Sequence, residues 1–91
     1  MSETTLTGNG TFTIDNFPTE TAAIALTGNF GGGTVSIKIK QGATGTDMTI
    51  DTATTAYAKE AKVGAGNTLS ITLASSAGPS LLVQAIPLRR G

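Results

Sequence analysis

The stretch Thr34-Val35-Ser36-Ile37-Lys38-Ile39-Lys40 places Val35, Ile37 and Ile39 at every second position, with hydroxyl and ammonium side chains between them. Successive side chains of an extended chain point to opposite faces, so one face of this segment is wholly β-branched and apolar. The other face is polar and cationic. A helix would scatter these residues around its circumference, so the period of two reads as a strand buried on one side only. Gly31-Gly32-Gly33 before it and Gln41-Gly42-Ala43-Thr44-Gly45 after it mark its ends.

Working outward, the same alternation recurs in short segments. Residues 11–15 put Phe12 and Ile14 on one face, and Asn16-Phe17-Pro18 stops that run because proline fixes φ and lacks a donor. Phe17 therefore falls in a loop, folded back on the core or offered to a partner. Residues 21–26 put Ile24 and Leu26 on one face, and the glycine-dense stretch 28–33 predicts a hairpin to the opening strand. In residues 47–51, Met48 and Ile50 are expected to point one way. Residues 57–63 read as a strand in which Tyr57, Lys59, Ala61 and Val63 alternate, although the alanines around them would also suit a short helix. Residues 68–73 alternate again.

Beyond the Gly78-Pro79 breaker, residues 81–88 are apolar on both faces near their start. That pattern predicts a strand covered on two sides, by the core and by a neighbouring subunit or the N-terminal segment. Pro87 makes the end of that strand an edge. Residues 1–9 carry Leu6 as their bulky apolar group after Met1 and read as an extended arm, and residues 88–91 as a short basic tail. About six to eight short strands and no long helical period predict an all-β fold. The expectation is a small antiparallel β-sandwich or barrel, Ig-like or jelly-roll-like.

Ninety-one residues make one domain, 1–91, with little core to spend. The chain has neither Cys nor His, so neither disulfides nor the usual zinc ligands reinforce it. Association with itself or with a larger partner is the remaining common route to stability.

The same absence removes the Ser-His-Asp and Cys-His nucleophilic devices, and no Ser-x-x-Lys run offers a lysine base. The lysines Lys38, Lys40, Lys59 and Lys62 sit on wet faces or beside Glu60. The chain is expected not to be an enzyme and to use no cofactor. The glycines at 28–33 lack the Gly-Lys-Ser/Thr ending of a phosphate loop and feed a strand rather than a helix. Asp47 and Asp51 lie four apart on one strand, away from the spacing of a calcium loop, so no metal is expected.

Six basic residues balance six acidic ones, and only 13% of the chain is charged. That predicts no nucleic-acid partner. No apolar run reaches the length of a membrane span. The polar start Met-Ser-Glu-Thr-Thr lacks the blocks of a signal peptide, so Asn9-Gly10-Thr11, a formal glycosylation acceptor, is read as coincidence. A sugar-binding module would need exposed aromatic platforms, for which Tyr57 and Phe30 are the candidates.

Two stretches carry a resemblance. Phe30-Gly31-Gly32-Gly33-Thr34-Val35-Ser36-Ile37-Lys38 resembles a strand of small all-β structural proteins from tailed bacteriophage virions, and Ser76-Ala77-Gly78-Pro79-Ser80-Leu81-Leu82-Val83 resembles their closing loop and strand. The resemblance implies a virion structural protein, made in the bacterial host cytoplasm and carried on the capsid surface as a decoration or cement protein. Its partners would be the major capsid protein, further copies of itself, or both. Leu6, Phe17 and Phe30 would then fill apolar pockets, and Arg89 and Arg90 would meet acidic capsid surface. A tail, neck or fibre component is the alternative within that class, and a small carbohydrate-binding β-module is the alternative outside it.

Overall fold

A computed structural model describes residues 2–42 and 44–88. Eight strands form it: β1 (Ser2–Leu6), β2 (Gly10–Ile14), β3 (Thr21–Asn29), β4 (Thr34–Lys40), β5 (Met48–Ala53), β6 (Tyr57–Lys62), β7 (Thr68–Ala74) and β8 (Ser80–Leu88). They make two four-stranded antiparallel sheets, ordered β1-β8-β3-β6 and β2-β7-β4-β5. The first strand pairs with the eighth, the second with the seventh, the third with the sixth and the fourth with the fifth. This nested pairing, folded over into two layers, is the jelly-roll winding of a β-sandwich.

The four inner strands each supply three alternate side chains to the core: Ala22, Ile24 and Leu26 from β3, Val35, Ile37 and Ile39 from β4, Leu69, Ile71 and Leu73 from β7, and Leu81, Val83 and Ala85 from β8. The β-branched residues favour the pleated, packed surface, and the period of two delivers them all to one side. One flank, between edge strands β1 and β2, is filled by Leu6, Phe12 and Ile14. The opposite flank, between β5 and β6, has Ala53, Tyr57 and Ala61. Two of these three are alanines, and a shallow groove remains there.

Phe17 and Phe30 plug the two ends of the sandwich. Phe17 is 1% exposed, and its backbone N–H donates to Asn67 O at 2.8 Å while its carbonyl accepts from Gly66 N–H at 2.8 Å. Phe30 is 6% exposed, in a tight turn closed by Gly33 N–H donating to Phe30 O at 3.0 Å. Gly31, at φ 62°, turns the chain there, and its carbonyl accepts from Ala77 N–H at 2.9 Å. A Cβ at Gly31 would stand 2.7 Å from Ala77 O, so the close approach of the two loops requires glycine.

Three expectations change. The glycine stretch 28–33 is not a hairpin, because β3 pairs with β8 and β6 whereas β4 pairs with β7 and β5. It is a corner that carries the chain from one sheet to the other. The N-terminal arm adds to the chain's own sheet: β1 pairs edgewise with β8, from Ser2↔Ala85 to Leu6↔Leu81. Finally, Met48 and Ile50 do not share a simple strand phase. Ile37 opposes Asp51 but Lys38 opposes Thr49, which leaves Ile50 as the extra residue of a β-bulge. The bulge gives Asp51, not Ile50, the inward phase opposite buried Ile37. Pro87 lies beyond the described β1 pairs, where a missing N–H breaks no ladder bond on that side.

Candidate functional site

The two outer faces of the sandwich differ in chemistry. Residues that oppose one another across a ladder share a face, so the register assigns them directly. On the β2-β7-β4-β5 sheet the outward row Thr11, Thr72, Ser36 and Thr52 runs across all four strands, and Thr13, Ser70, Lys38 and Thr49 form the next row. The Thr11 and Thr72 hydroxyls are 3.0 Å apart and hydrogen-bonded. This face is hydroxyl-rich and cationic, and suited to water.

On the β1-β8-β3-β6 sheet the outward residues of β8 are Leu82, Gln84, Ile86 and Leu88, and those of β3 include Ala23 and Ala25. Leu82, Ile86 and Leu88 stand half-buried, with no second layer over them among the described residues. The alanines on β3 keep the floor beside them low, and Ala58 on β6 continues it opposite Ala25. Polar groups rim this patch: Glu3 and Thr5 on β1, and Glu60 and Lys62 on β6. Gln84 Nε2 donates to Glu3 Oε2 at 3.4 Å. A flat apolar floor with a polar rim is the layout of a protein–protein contact.

The doubly apolar pattern of residues 81–88 predicted a cover on both sides. Leu81, Val83 and Ala85 receive theirs from the core. The outer phase receives none from the N-terminal segment, because β1 lies beside β8 in the sheet plane instead of over it.

The open flank is the second feature. Asp51 on β5 and Tyr57 and Lys59 on β6 face each other there. Tyr57 Oη–H donates to Asp51 Oδ2 at 2.8 Å, and Lys59 Nζ stands 3.6 Å from the same oxygen. Lys59 Nζ also lies 5.4 Å from the centre of the Tyr57 ring. The bond from Tyr57 chiefly, with one from Thr52 N–H, holds the Asp51 carboxyl below its ordinary value of 3.8. Burial, and then the neighbouring carboxylate, push the Tyr57 hydroxyl up to about 12. A shallow groove of about 290 Å³ runs between Ile50, Tyr57 and Ala61. Met48 and Ile50, 56% and 43% exposed, border this flank and are the large apolar side chains most open to solvent among the described residues.

Of the five residues expected at an interface, Leu6 packs half-buried against the core from the filled flank. Phe17 and Phe30 are interior plugs, so neither ring is presented to a partner; a loop at the end of a sandwich needs a large side chain to close it. Arg89 and Arg90 lie outside the described residues. The side chains that do line an outward apolar face, Leu82 and Ile86, were legible as the second phase of their strand. Of the two aromatic platforms considered for a sugar, Phe30 is enclosed and the Tyr57 hydroxyl is engaged by Asp51. Among the described residues no three acidic side chains converge as metal ligands, and no helix is long and apolar enough to cross a membrane.

Comparison of the chain with protein-family models, with curated proteins and with solved structures finds no match.

Proposed function

We propose that this chain is a non-enzymatic virion structural protein, a capsid decoration protein that docks on the outer capsid and stabilises it. The observation that carries the reading is the one-sided surface: Leu82, Ile86 and Leu88 over a floor of Ala23 and Ala25 on one sheet, hydroxyls and lysines on the other. A module that spends its life attached needs one adhesive face and one hydrated face. The apolar face meets the major capsid protein or a further copy of the chain, and the hydroxyl face is left to solvent. The stabilisation is mechanical, with the docked sandwich bridging neighbouring capsid subunits.

Jelly rolls serve capsids and lectins alike, so the winding itself does not choose between them. The interior position of Phe30 and the occupied hydroxyl of Tyr57 favour protein docking over sugar stacking. The test is the protein's copy number in purified virions of the source phage, by quantitative mass spectrometry, together with heat release of DNA after deletion of its gene. Hundreds of copies and a lowered rupture temperature support decoration. A few to a few dozen copies move the protein to the tail, neck or fibre, and none at all overturns the virion reading.

A further inference from the structure

Asn9 stands in the bend between β1 and β2 and is followed by Gly10, the one Asn-Gly pair in the sequence; Asn16, Asn29 and Asn67 precede Phe, Phe and Thr. Its side chain is exposed, yet its carbonyl oxygen is held twice. Ser76 N–H donates to Asn9 Oδ1 at 2.9 Å, and the Ser76 hydroxyl donates to the same atom at 2.6 Å. Both donors come from the β7–β8 loop, on the far side of the sequence.

An asparagine amide carbon beside a glycine nitrogen is open to attack, because glycine has no Cβ to obstruct the approach. Two donors on the amide oxygen draw electron density from that carbon and hold the charge that develops on the oxygen as the nitrogen adds. Gly10 stands at the very start of β2, opposite Leu73, and the space around the segment is open. Gly8 has no atom within 4 Å of where a Cβ would be, and Gly10 meets only Leu6 Cδ2, at 4.0 Å.

We propose that Asn9 is a self-modification site, at which Ser76 promotes deamidation of the folded chain. Gly10 N, losing its proton to solvent base, forms a bond to Asn9 Cγ, and the bond from Cγ to the side-chain nitrogen breaks as that nitrogen takes a proton from the conjugate acid and leaves as ammonia. Water then opens the resulting succinimide at either carbonyl, giving aspartate or isoaspartate at position 9. No oxidant or enzyme is consumed. The aspartate product presents an ionised oxygen to the same two Ser76 donors, a stronger acceptor than the amide it replaces. An aspartate at position 9 is therefore held at least as firmly as the amide was, whereas isoaspartate reroutes the backbone through Cγ; either product takes the chain's formal net charge from +0 to −1.

The experiment incubates the full folded chain in mildly alkaline buffer and follows intact mass and peptide maps over weeks, with circular dichroism confirming that it stays native. The expected result is conversion at Asn9 ahead of Asn16, Asn29 and Asn67. Ser76→Ala, which removes one of the two donors, slows it about five-fold, and Ser76→Thr, which keeps the hydroxyl, restores the rate. In urea the wild-type chain and Ser76→Ala should convert equally, since the contact exists only in the fold. An Asn9 that stays intact in native protein overturns the proposal. So does a Ser76→Ala chain that is native but converts as fast as, or faster than, wild type.

Discussion

Tyr57 donates its hydroxyl hydrogen to Asp51 at 2.8 Å, and through this bond the two sheets, which exchange no strands, are tied at their outer edges. An inward-pointing carboxylate on an edge strand is also a known way to keep that edge from pairing with another chain. On this flank one contact both ties the two sheets and guards the edge.

The pair makes stability depend on pH at both extremes. Tyr57 ionises more reluctantly in the fold than in the unfolded chain, so its contribution is complete below pH 10 and is lost as pH rises toward about 12. Asp51 has the opposite shift. Its contribution is present above 3.8 and is lost as pH falls through the lower folded value. Because Tyr57 is the sole tyrosine, absorbance of its phenolate reads the first half directly. Native protein should titrate near 12 and urea-unfolded protein near 10. Asp51→Asn should lower the native midpoint without returning it fully, since burial is the larger cause.

Phe17 and Phe30 hold the ends closed, so Phe17→Ala and Phe30→Ala should each cost about 3–5 kcal/mol. Against a total of about 5–15 kcal/mol for a natural domain, either change brings the chain close to unfolding. Urea denaturation followed by circular dichroism measures both. A loss under about 1 kcal/mol at either position would mean that the ring is not enclosed as described.

On β8 a single residue's phase separates docking from folding. Leu82→Lys and Ile86→Lys alter the outer face and should leave stability within about 1 kcal/mol while abolishing capsid attachment. Leu81→Lys places an unpaired ammonium in the core and should prevent folding. Co-sedimentation with capsids, beside a thermal melt of each variant, distinguishes the two classes.

Asn67 organises the Phe17 end through its side chain. Its Nδ2 donates to Val63 O at 2.9 Å and its Oδ1 accepts from Gly42 N–H at 3.2 Å. Asn67→Ala leaves both backbone groups without that partner and should cost about 1–3 kcal/mol, read from the same denaturation curves. Asn67→Asp keeps the acceptor but not the donor and should fall between.

The alternation of residues 34–40 and 68–73 announced their strands because one buried face needs one phase and nothing else. Even in residues 57–63, where alanines suggest a helix, Tyr57–Lys62 form a strand, β6, with Tyr57, Lys59 and Ala61 in its inward phase. Pairing was not legible. The glycines at 28–33 look the same whether the chain doubles back in one sheet or crosses to the other, and only the positions of β7 and β8 decide between them. Likewise, nothing near Leu6 signals that its partner is Leu81. The phase of Phe17 and Phe30 was hidden because loops have no period. The bulge at Ile50 shifted its strand by one residue, a change that depends on β4 rather than on β5 alone.

The nested pairing also sets an order of assembly. Residues 34–40 and 48–53 can meet before anything beyond residue 53 is made, but each further pair spans a longer stretch, ending with residues 2–6 against residues 81–85. Closing such loops costs entropy before any contact repays it, so the sandwich should condense slowly for its size. On a ribosome, β1 must wait for β8 to emerge before its partner exists. Through that interval the inner faces stand open, and the freshly made chain depends on completing β8 before it meets another like itself.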